Sequence, residues 1–185
     1  TFVAISVWSL TTFYAVWLLQ KLWQEQGIAL SHFGYLWAAY MIAAAIAGQV
    51  AERVERAVGT TTLLIVVGVM PAVGYAGLAV TGPIGGVIVA LTFFIARGLG
   101  LVVLKNAFNR RVPSRYRATA NSLVSFGFRG SFVVTGPFVG WLLDAYGMQI
   151  TLEMLAVASV AIFATVLVPL IGAVRAERLL AASPG

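Results

Sequence analysis

The chain has 185 residues, of which 61% are hydrophobic and only 10% are charged, and its mean hydropathy is +0.96. A soluble domain carries roughly 25% charged residues, because its surface must meet water, so this composition excludes an ordinary soluble domain and predicts an integral membrane protein. The net charge of +6 does not indicate nucleic acid, because the basic residues lie in short segments between apolar stretches. The chain has no cysteine, which excludes disulfides, cysteine-ligated metals and a thiol nucleophile.

Six stretches are apolar enough, at about 20 residues each, to be membrane helices. In chain order they are residues 2–23, 32–50, 60–80, 84–104, 118–143 and 151–173. The sequence therefore predicts an all-α membrane protein with a single six-helix domain over residues 1–185, of which 174–185 form a tail. The chain begins inside an apolar stretch without a signal-peptide pattern, and we expect it to be part of a longer protein.

Lys and Arg are unevenly distributed between the two sides of this predicted bundle. Lys21 alone lies on one side, and two arginines lie within stretches. The other nine of the twelve follow the second and fourth stretches or lie in the tail: Arg53, Arg56, Lys105, Arg110, Arg111, Arg115, Arg117, Arg175 and Arg178. Because cytoplasmic loops are rich in Lys and Arg, we expect both ends of the chain in the cytoplasm, with the bundle in a cell (inner) membrane.

Three pairs of small residues occur at a spacing of four, which lets backbones approach closely in lipid. They are Ala44 with Gly48, Gly82 with Gly86, and Gly136 with Gly140. Each pair is a candidate helix contact, although Gly is common in membrane helices in any case.

The loop predicted after the second stretch, from Gly48 to Gly59, reads Gly-Gln-Val-Ala-Glu-Arg-Val-Glu-Arg-Ala-Val-Gly. It resembles the cytoplasmic loop motif of the major facilitator superfamily, Gly-x-x-x-Asp-Arg-x-Gly-Arg-Arg. Gly48, Arg53 and Arg56 match the motif, Glu52 replaces its Asp, and Glu55 and Ala57 depart from it, as in the weaker C-terminal copy. The resemblance implies that this loop latches the cytoplasmic side in one state of a transport cycle. Any cytoplasmic loop rich in Arg and Glu remains the alternative.

Two further segments resemble the same family. Residues 115–123 are similar to the loop before its eleventh helix, and residues 136–147 are similar to the outer end of that helix. The resemblance covers nearly the whole chain and implies helices seven to twelve, the C-terminal half of a twelve-helix secondary transporter. Such a half consists of two inverted three-helix repeats, and the substrate binds between the halves near the middle of the membrane. The implied partners are the lipid bilayer and an N-terminal six-helix half.

Arg129 lies about halfway along the fifth stretch, where a charge costs several kcal/mol unless it is compensated. Asn121, Ser125 and Arg129 follow one another at a spacing of four and share one helix face. Such a stripe is typical of a water-filled cavity. No Asp or Glu of this chain lies at matching depth, so we expect Arg129 to contact water, backbone carbonyls, the other half or an anionic substrate; a structural role is the alternative.

Aromatic residues form a second candidate set for the cavity. Tyr14, Trp37 and Tyr40 are candidates to line it and to hydrogen-bond a solute. Arg97, near the cytoplasmic end of the fourth stretch, is expected to reach the headgroups or to make a gating contact. The three tryptophans of the first stretch are expected to anchor at the membrane interface or to face lipid: Trp8, Trp17 and Trp23.

These features predict secondary active transport of a small solute by alternating access, as a symporter or an antiporter, with the coupling proton or ion left open. A six-helix channel or permease subunit acting as an oligomer is the alternative. A membrane-embedded enzyme is less favoured, because His32 is the one histidine and no carboxylate lies deep in a stretch. There is no Gly-x-x-x-x-Gly-Lys phosphate loop either, and we expect no cofactor, no metal and no nucleic-acid partner.

Overall fold

A computed structural model describes the backbone of residues 2–169 and 171–172, and the side chains of residues 6–106, 108, 112–169 and 171–172. Over these residues the chain is helical and contains no strand. The predicted tail, with Arg175 and Arg178, lies outside the described residues, as do the side chains of Arg110 and Arg111.

The described residues form five α-helices. They are α1 (Phe2–Glu25), α2 (Phe33–Val58), α3 (Thr60–Val80), α4 (Pro83–Arg111) and α5 (Arg117–Ile162). Four described stretches are long and apolar enough to cross a membrane: Leu30–Val58, Thr60–Val80, Pro83–Asn106 and Ser114–Leu167. The prediction of an all-helical chain with several apolar spans is therefore confirmed, and helices of this length and composition are typical of a membrane protein.

The last helix, α5, is interrupted at Gly147, whose φ of 78° and ψ of 178° are not helical. An unbroken helix of its 46 residues would be about 69 Å long, about twice the thickness of a bilayer core. Gly147 divides α5 into a first limb (117–146) and a second limb (148–162). Val139 of the first limb and Leu155 of the second line one apolar cavity of about 280 Å³, so the chain turns back at this glycine.

We expect Gly147→Ala to destabilise the protein, because its backbone conformation is essentially restricted to glycine. No neighbouring atom lies within 4 Å of a Cβ placed at Gly147, so the effect is one of backbone strain, about 1–3 kcal/mol. The measurement is the melting temperature of the purified protein in detergent. Gly130→Ala is the matched control, since Gly130 is helical and equally open. Equal melting temperatures for the two variants would contradict the strained turn.

The second helix continues beyond its predicted end at residue 50. Residues 51–58 remain helical, and Gly59, with a φ of 82°, separates α2 from α3. The prediction of a loop from Gly48 to Gly59 is therefore wrong. Glu and Arg favour helices, and Ala51 and Val54 continue the face of α2 that packs on the core. The motif thus lies on the C-terminal end of a helix.

The first helix, α1, is buried on most of its sides. It packs against α4 and α5, while α2 packs along α4, and α3 lies against α4 and α5. Trp8 is 1% exposed and Trp23 0% exposed, so an interfacial or lipid-facing position is wrong for both. The ring of Trp23 packs edge-on against Phe33 of α2, 5.1 Å between centroids, and a large aromatic surface of this kind contributes strongly to a core. Trp17 is exposed, and its position at the interface or against lipid stays a prediction.

The closest approach between α2 and α4 is at Gly98. A Cβ on Gly98 would overlap the carbonyl oxygen of Ala44 and lie 2.9 Å from the Cβ of Ala47. A Cβ on Gly48 would lie 3.7 Å from the carbonyl oxygen of Gly98, which is an ordinary contact. The Ala44–Gly48 pair therefore lies in a close helix contact, as small residues in membrane helices allow.

Candidate functional site

The predicted polar stripe lies on the outside of the first limb of α5. Ser125 and Arg129 are exposed, whereas Asn121 is half-buried and its Nδ2 donates to the carbonyl oxygen of Arg117 at 2.8 Å. Within the described part of the chain, the Arg129 guanidinium has no hydrogen-bond or ion-pair partner. The structure therefore brings Ser125 and Arg129 to one open surface.

The contact between α1 and the first limb of α5 contains the hydroxyl of Tyr14, which is hydrogen-bonded to Thr135 Oγ1. Thr135 Oγ1 in turn donates to the carbonyl oxygen of Ser131 at 2.7 Å. Because a hydroxyl has one hydrogen, Tyr14 must be the donor to Thr135. We call this contact the α1–α5 seam, and Phe13 adds a ring contact across it to Phe132, 4.9 Å between centroids.

A groove of about 370 Å³ lies along this seam, and we call it the α1–α5 groove. Its walls come from α1 and from the first limb of α5: Tyr14, Trp17, Leu18, Lys21, Phe132, Val133, Gly136, Pro137, Val139, Gly140 and Leu143. Tyr14, a predicted substrate-cavity residue, lines this groove, and its role in transport stays a prediction. A Cβ placed at Gly140 would meet no atom within 4 Å, and one placed at Gly136 would meet only the ring of Phe132 at 3.8 Å, so this pair forms an open floor.

Sequence reasoning missed Lys21 and Trp17 as parts of this groove. Lys21 is conspicuous in the sequence only as the one basic residue on its side of the bundle. That signal does not connect Lys21 with the Gly136–Gly140 pair, so it could not locate the groove.

Tyr40 and Trp37 lie in a different place, an aromatic cluster between α1, α2 and α4. Tyr40 is 1% exposed and stacks on Phe94 at 4.6 Å between centroids. Its hydroxyl donates to the carbonyl oxygen of Val87 at 2.9 Å. Trp37 is half-buried and packs edge-on against Phe94 and Trp23. Neither residue lines the α1–α5 groove, and their role in transport stays a prediction.

The predicted gating residues gather toward the C-terminal ends of α2 and α4. Glu52 accepts a hydrogen bond from Asn106 Nδ2 of α4 at 3.4 Å, while Arg53 and Arg56 are exposed. Glu55, where the motif has glycine, accepts a hydrogen bond from Thr60 Oγ1 at 2.7 Å and so ties the end of α2 to the start of α3. Arg97 is half-buried on α4, one residue before the close contact at Gly98.

A more polar pocket of about 310 Å³ lies at the opposite end of the bundle. Glu25 and Gln26 of α1 and the following loop, Thr81 and Gln149 line it with apolar neighbours. Gln26 Nε2 donates to the carbonyl oxygen of Thr81 at 3.3 Å. No sequence pattern indicates this pocket, because its residues come from three distant segments.

Among the described residues, no three His, Cys, Asp or Glu side chains are grouped closely enough to hold a metal ion. Comparison with known proteins gives no family assignment, because no family model, no curated protein and no solved structure matches the chain. Two features of the described residues carry chemical information: an exposed arginine, Arg129, on an apolar helix, and an apolar groove with one cation, Lys21, at its end.

Proposed function

We propose that this chain is the C-terminal half of a secondary active transporter of the major facilitator superfamily, which moves a small solute by alternating access as a symporter or an antiporter. In this proposal the two limbs of α5 are separate spans, so that the chain has six, arranged as two inverted three-helix repeats. Both ends of the chain lie in the cytoplasm, and the membrane is the cell (inner) membrane. The motif positions Gly48, Arg53 and Arg56 support this family.

The observation that carries the proposal is the exposed, unpartnered position of Arg129 in the described residues. A guanidinium halfway along an apolar helix is costly when it faces lipid. The face with Ser125 and Arg129 therefore meets water, a solute or another protein surface. A cavity between this chain and an N-terminal half meets that requirement.

The other residues take roles that follow from this arrangement. Tyr14 lies in the cavity wall, and Glu52, through its bond to Asn106, holds the cytoplasmic ends of α2 and α4 together in one state. No carboxylate of this chain lies within a span at the depth of Arg129. A coupling proton or ion would therefore bind in the N-terminal half.

Single-cysteine labelling of the intact protein in membrane vesicles tests the proposal, and this chain contributes no cysteine of its own to the background. We expect Ser125→Cys to react with a membrane-impermeant maleimide added from the cytoplasmic side. Leu123→Cys is the matched control, since Leu123 is exposed at nearly the same depth but about 200° around the helix, where we expect lipid. Equal reaction at both positions would contradict a cavity on the Ser125 face.

A double variant separates alternating access from a channel. Gly140→Cys lies in the α1–α5 groove toward the outer end of the first limb, and Ser125→Cys lies toward the cytoplasmic end. In alternating access, a bulky maleimide attached to Ser125→Cys from inside holds the cavity open to the cytoplasm and suppresses reaction at Gly140→Cys from outside. Independent reaction at the two positions would overturn the proposal in favour of a channel.

A further inference from the structure

We propose that the α1–α5 groove binds a single-chain amphiphilic anion, an alkyl carboxylate, with its chain along the glycine floor and its carboxylate on Lys21. This inference rests on the proposed function, because it names the class of solute that the transporter carries. The shape of the groove, the polarity of its inner end and the position of its one charge support it.

The groove follows the contact between α1 and the first limb of α5. Its wall on α1 runs from Tyr14 to Lys21 and its wall on α5 from Phe132 to Leu143, about 10 Å and about 16 Å along the two helices. Its volume of about 370 Å³ falls within the roughly 300–1,000 Å³ of ligand pockets. A groove along the contact between two helices can hold one extended alkyl chain.

The inner end of the groove has no hydroxyl hydrogen to offer a ligand. The hydrogen of the Tyr14 hydroxyl is used by Thr135, and that of Thr135 by the carbonyl oxygen of Ser131. The rings of Trp17 and Phe132 stack at 6.2 Å between centroids and form an apolar wall. A polar solute would lose its hydrogen bonds with water here without replacement, which is costly, whereas an alkyl chain gains from leaving water.

The one charged residue in the lining is Lys21, at the end of the groove away from Tyr14. Its side chain is exposed and forms no ion pair with a carboxylate of the described residues. Glu25, one turn further along α1, lines the outer polar pocket instead. A single cation at one end of an apolar groove is complementary to an amphiphile with one anionic head and one chain.

Arg129 extends this arrangement toward the cytoplasm. It lies seven residues before Gly136 on the same side of the first limb, about 10 Å along the helix axis. A cation therefore lies beyond each end of the glycine floor, Lys21 on the outer side and Arg129 on the cytoplasmic side. A carboxylate that leaves Lys21 toward the cytoplasm meets Arg129 next.

The test uses laurate with a photoactivatable diazirine near the end of its chain, and the intact protein in phosphatidylcholine nanodiscs. We expect cross-links on the peptides that contain residues 14–21 and 132–143. Unlabelled laurate should compete, and dodecanol, which has the chain without the charge, should not. Competition by dodecanol, or by phosphatidylglycerol added to the nanodisc, would overturn the proposal, because it would assign the groove to any chain or to lipid.

Two variants locate the site, and each has a matched control. Lys21→Gln should raise the laurate concentration needed for half-maximal competition roughly tenfold, the usual effect of losing a hydrogen bond to a charged group, whereas Lys105→Gln should not. Gly140→Leu fills the floor and should abolish cross-linking, whereas Gly130→Leu, at an equally open glycine outside the lining, should not. Cross-linking insensitive to Lys21→Gln and Gly140→Leu would refute the proposed site.

Different results would overturn the alkyl carboxylate as solute and alternating access as mechanism. If reaction at Gly140→Cys still depends on modification at Ser125→Cys but laurate labels neither peptide, the solute class is overturned and alternating access stands. If laurate labels the groove while the two cysteines react independently, the binding site stands and the transporter proposal does not.

Discussion

Replacing Gly98 by leucine is expected to separate α2 from α4 and to leave the protein unable to fold stably. Even the Cβ of alanine would overlap the carbonyl oxygen of Ala44, and backbone cannot rotate away as a side chain can. Overpacking a tight core costs typically about 1–3 kcal/mol, and leucine adds further atoms in the same space. Since a typical domain is stable by only about 5–15 kcal/mol, we expect Gly98→Ala to lower the melting temperature and Gly98→Leu to aggregate in size-exclusion chromatography.

Gly48→Ala is the control for this contact, because it lies across the same helix pair. Its Cβ would sit 3.7 Å from the Gly98 carbonyl oxygen and 3.8 Å from Val102 Cγ2, which are ordinary van der Waals distances. Its melting temperature should stay near that of the parent protein. A Gly98→Ala variant as stable as Gly48→Ala would show that α2 and α4 are further apart than described.

Tyr75→Ala is expected to give the second large loss of stability. The side chain is 0% exposed, its ring lies 4.6 Å from that of Phe93, and its hydroxyl donates to the carbonyl oxygen of Thr11 at 2.6 Å. Tyr75 therefore joins α3 to both α4 and α1. Truncation of a buried aromatic ring leaves a cavity and costs about 3–5 kcal/mol, which thermal unfolding in detergent should register as a large fall in melting temperature.

Tyr75→Phe separates the ring from the hydroxyl. It removes one hydrogen bond, and such bonds between membrane helices contribute on average about 0.6 kcal/mol. The Thr11 carbonyl lies within α1, where a carbonyl normally keeps its bond to the amide four residues later. We therefore expect a small effect. A loss as large as that of Tyr75→Ala would mean that the hydrogen bond, not the packing of the ring, holds the three helices together.

The positions of the helices could largely be read from the sequence, and α3 shows why. Its bounds of Thr60–Val80 are those predicted, because Gly59 interrupts the helix before it and the Thr-Gly-Pro segment at 81–83 follows it. The end of α2 could not be read in this way. The rule for membrane spans counts apolar residues, whereas a helix continues into water as long as its residues favour helix, as residues 51–58 do.

The faces of the helices could not be predicted, because lipid is as apolar as a protein core. An apolar helix therefore carries little periodic signal for burial, and Trp8 and Trp23, which are predicted to anchor at the membrane interface or to face lipid, are fully buried. The stripe of Ser125 and Arg129 could be predicted, since polar atoms do mark a face. The α1–α5 groove could not, because its two walls are far apart in the chain and nothing local pairs Lys21 with Gly140.

The α1–α5 seam can form only after α5 has been synthesised. Tyr14 and Thr135 are 121 residues apart, and at a synthesis rate of about 5–20 residues per second α1 waits on the order of ten seconds for its partner. Two of its hydroxyls are hydrogen-bonded during that interval: Thr11 Oγ1 donates to the carbonyl oxygen of Trp8 and Thr12 Oγ1 to that of Ser9, both within α1. The hydroxyls of Thr11 and Thr12 thus keep their hydrogen bonds in lipid until α5 has been synthesised. The α1–α5 groove forms only then.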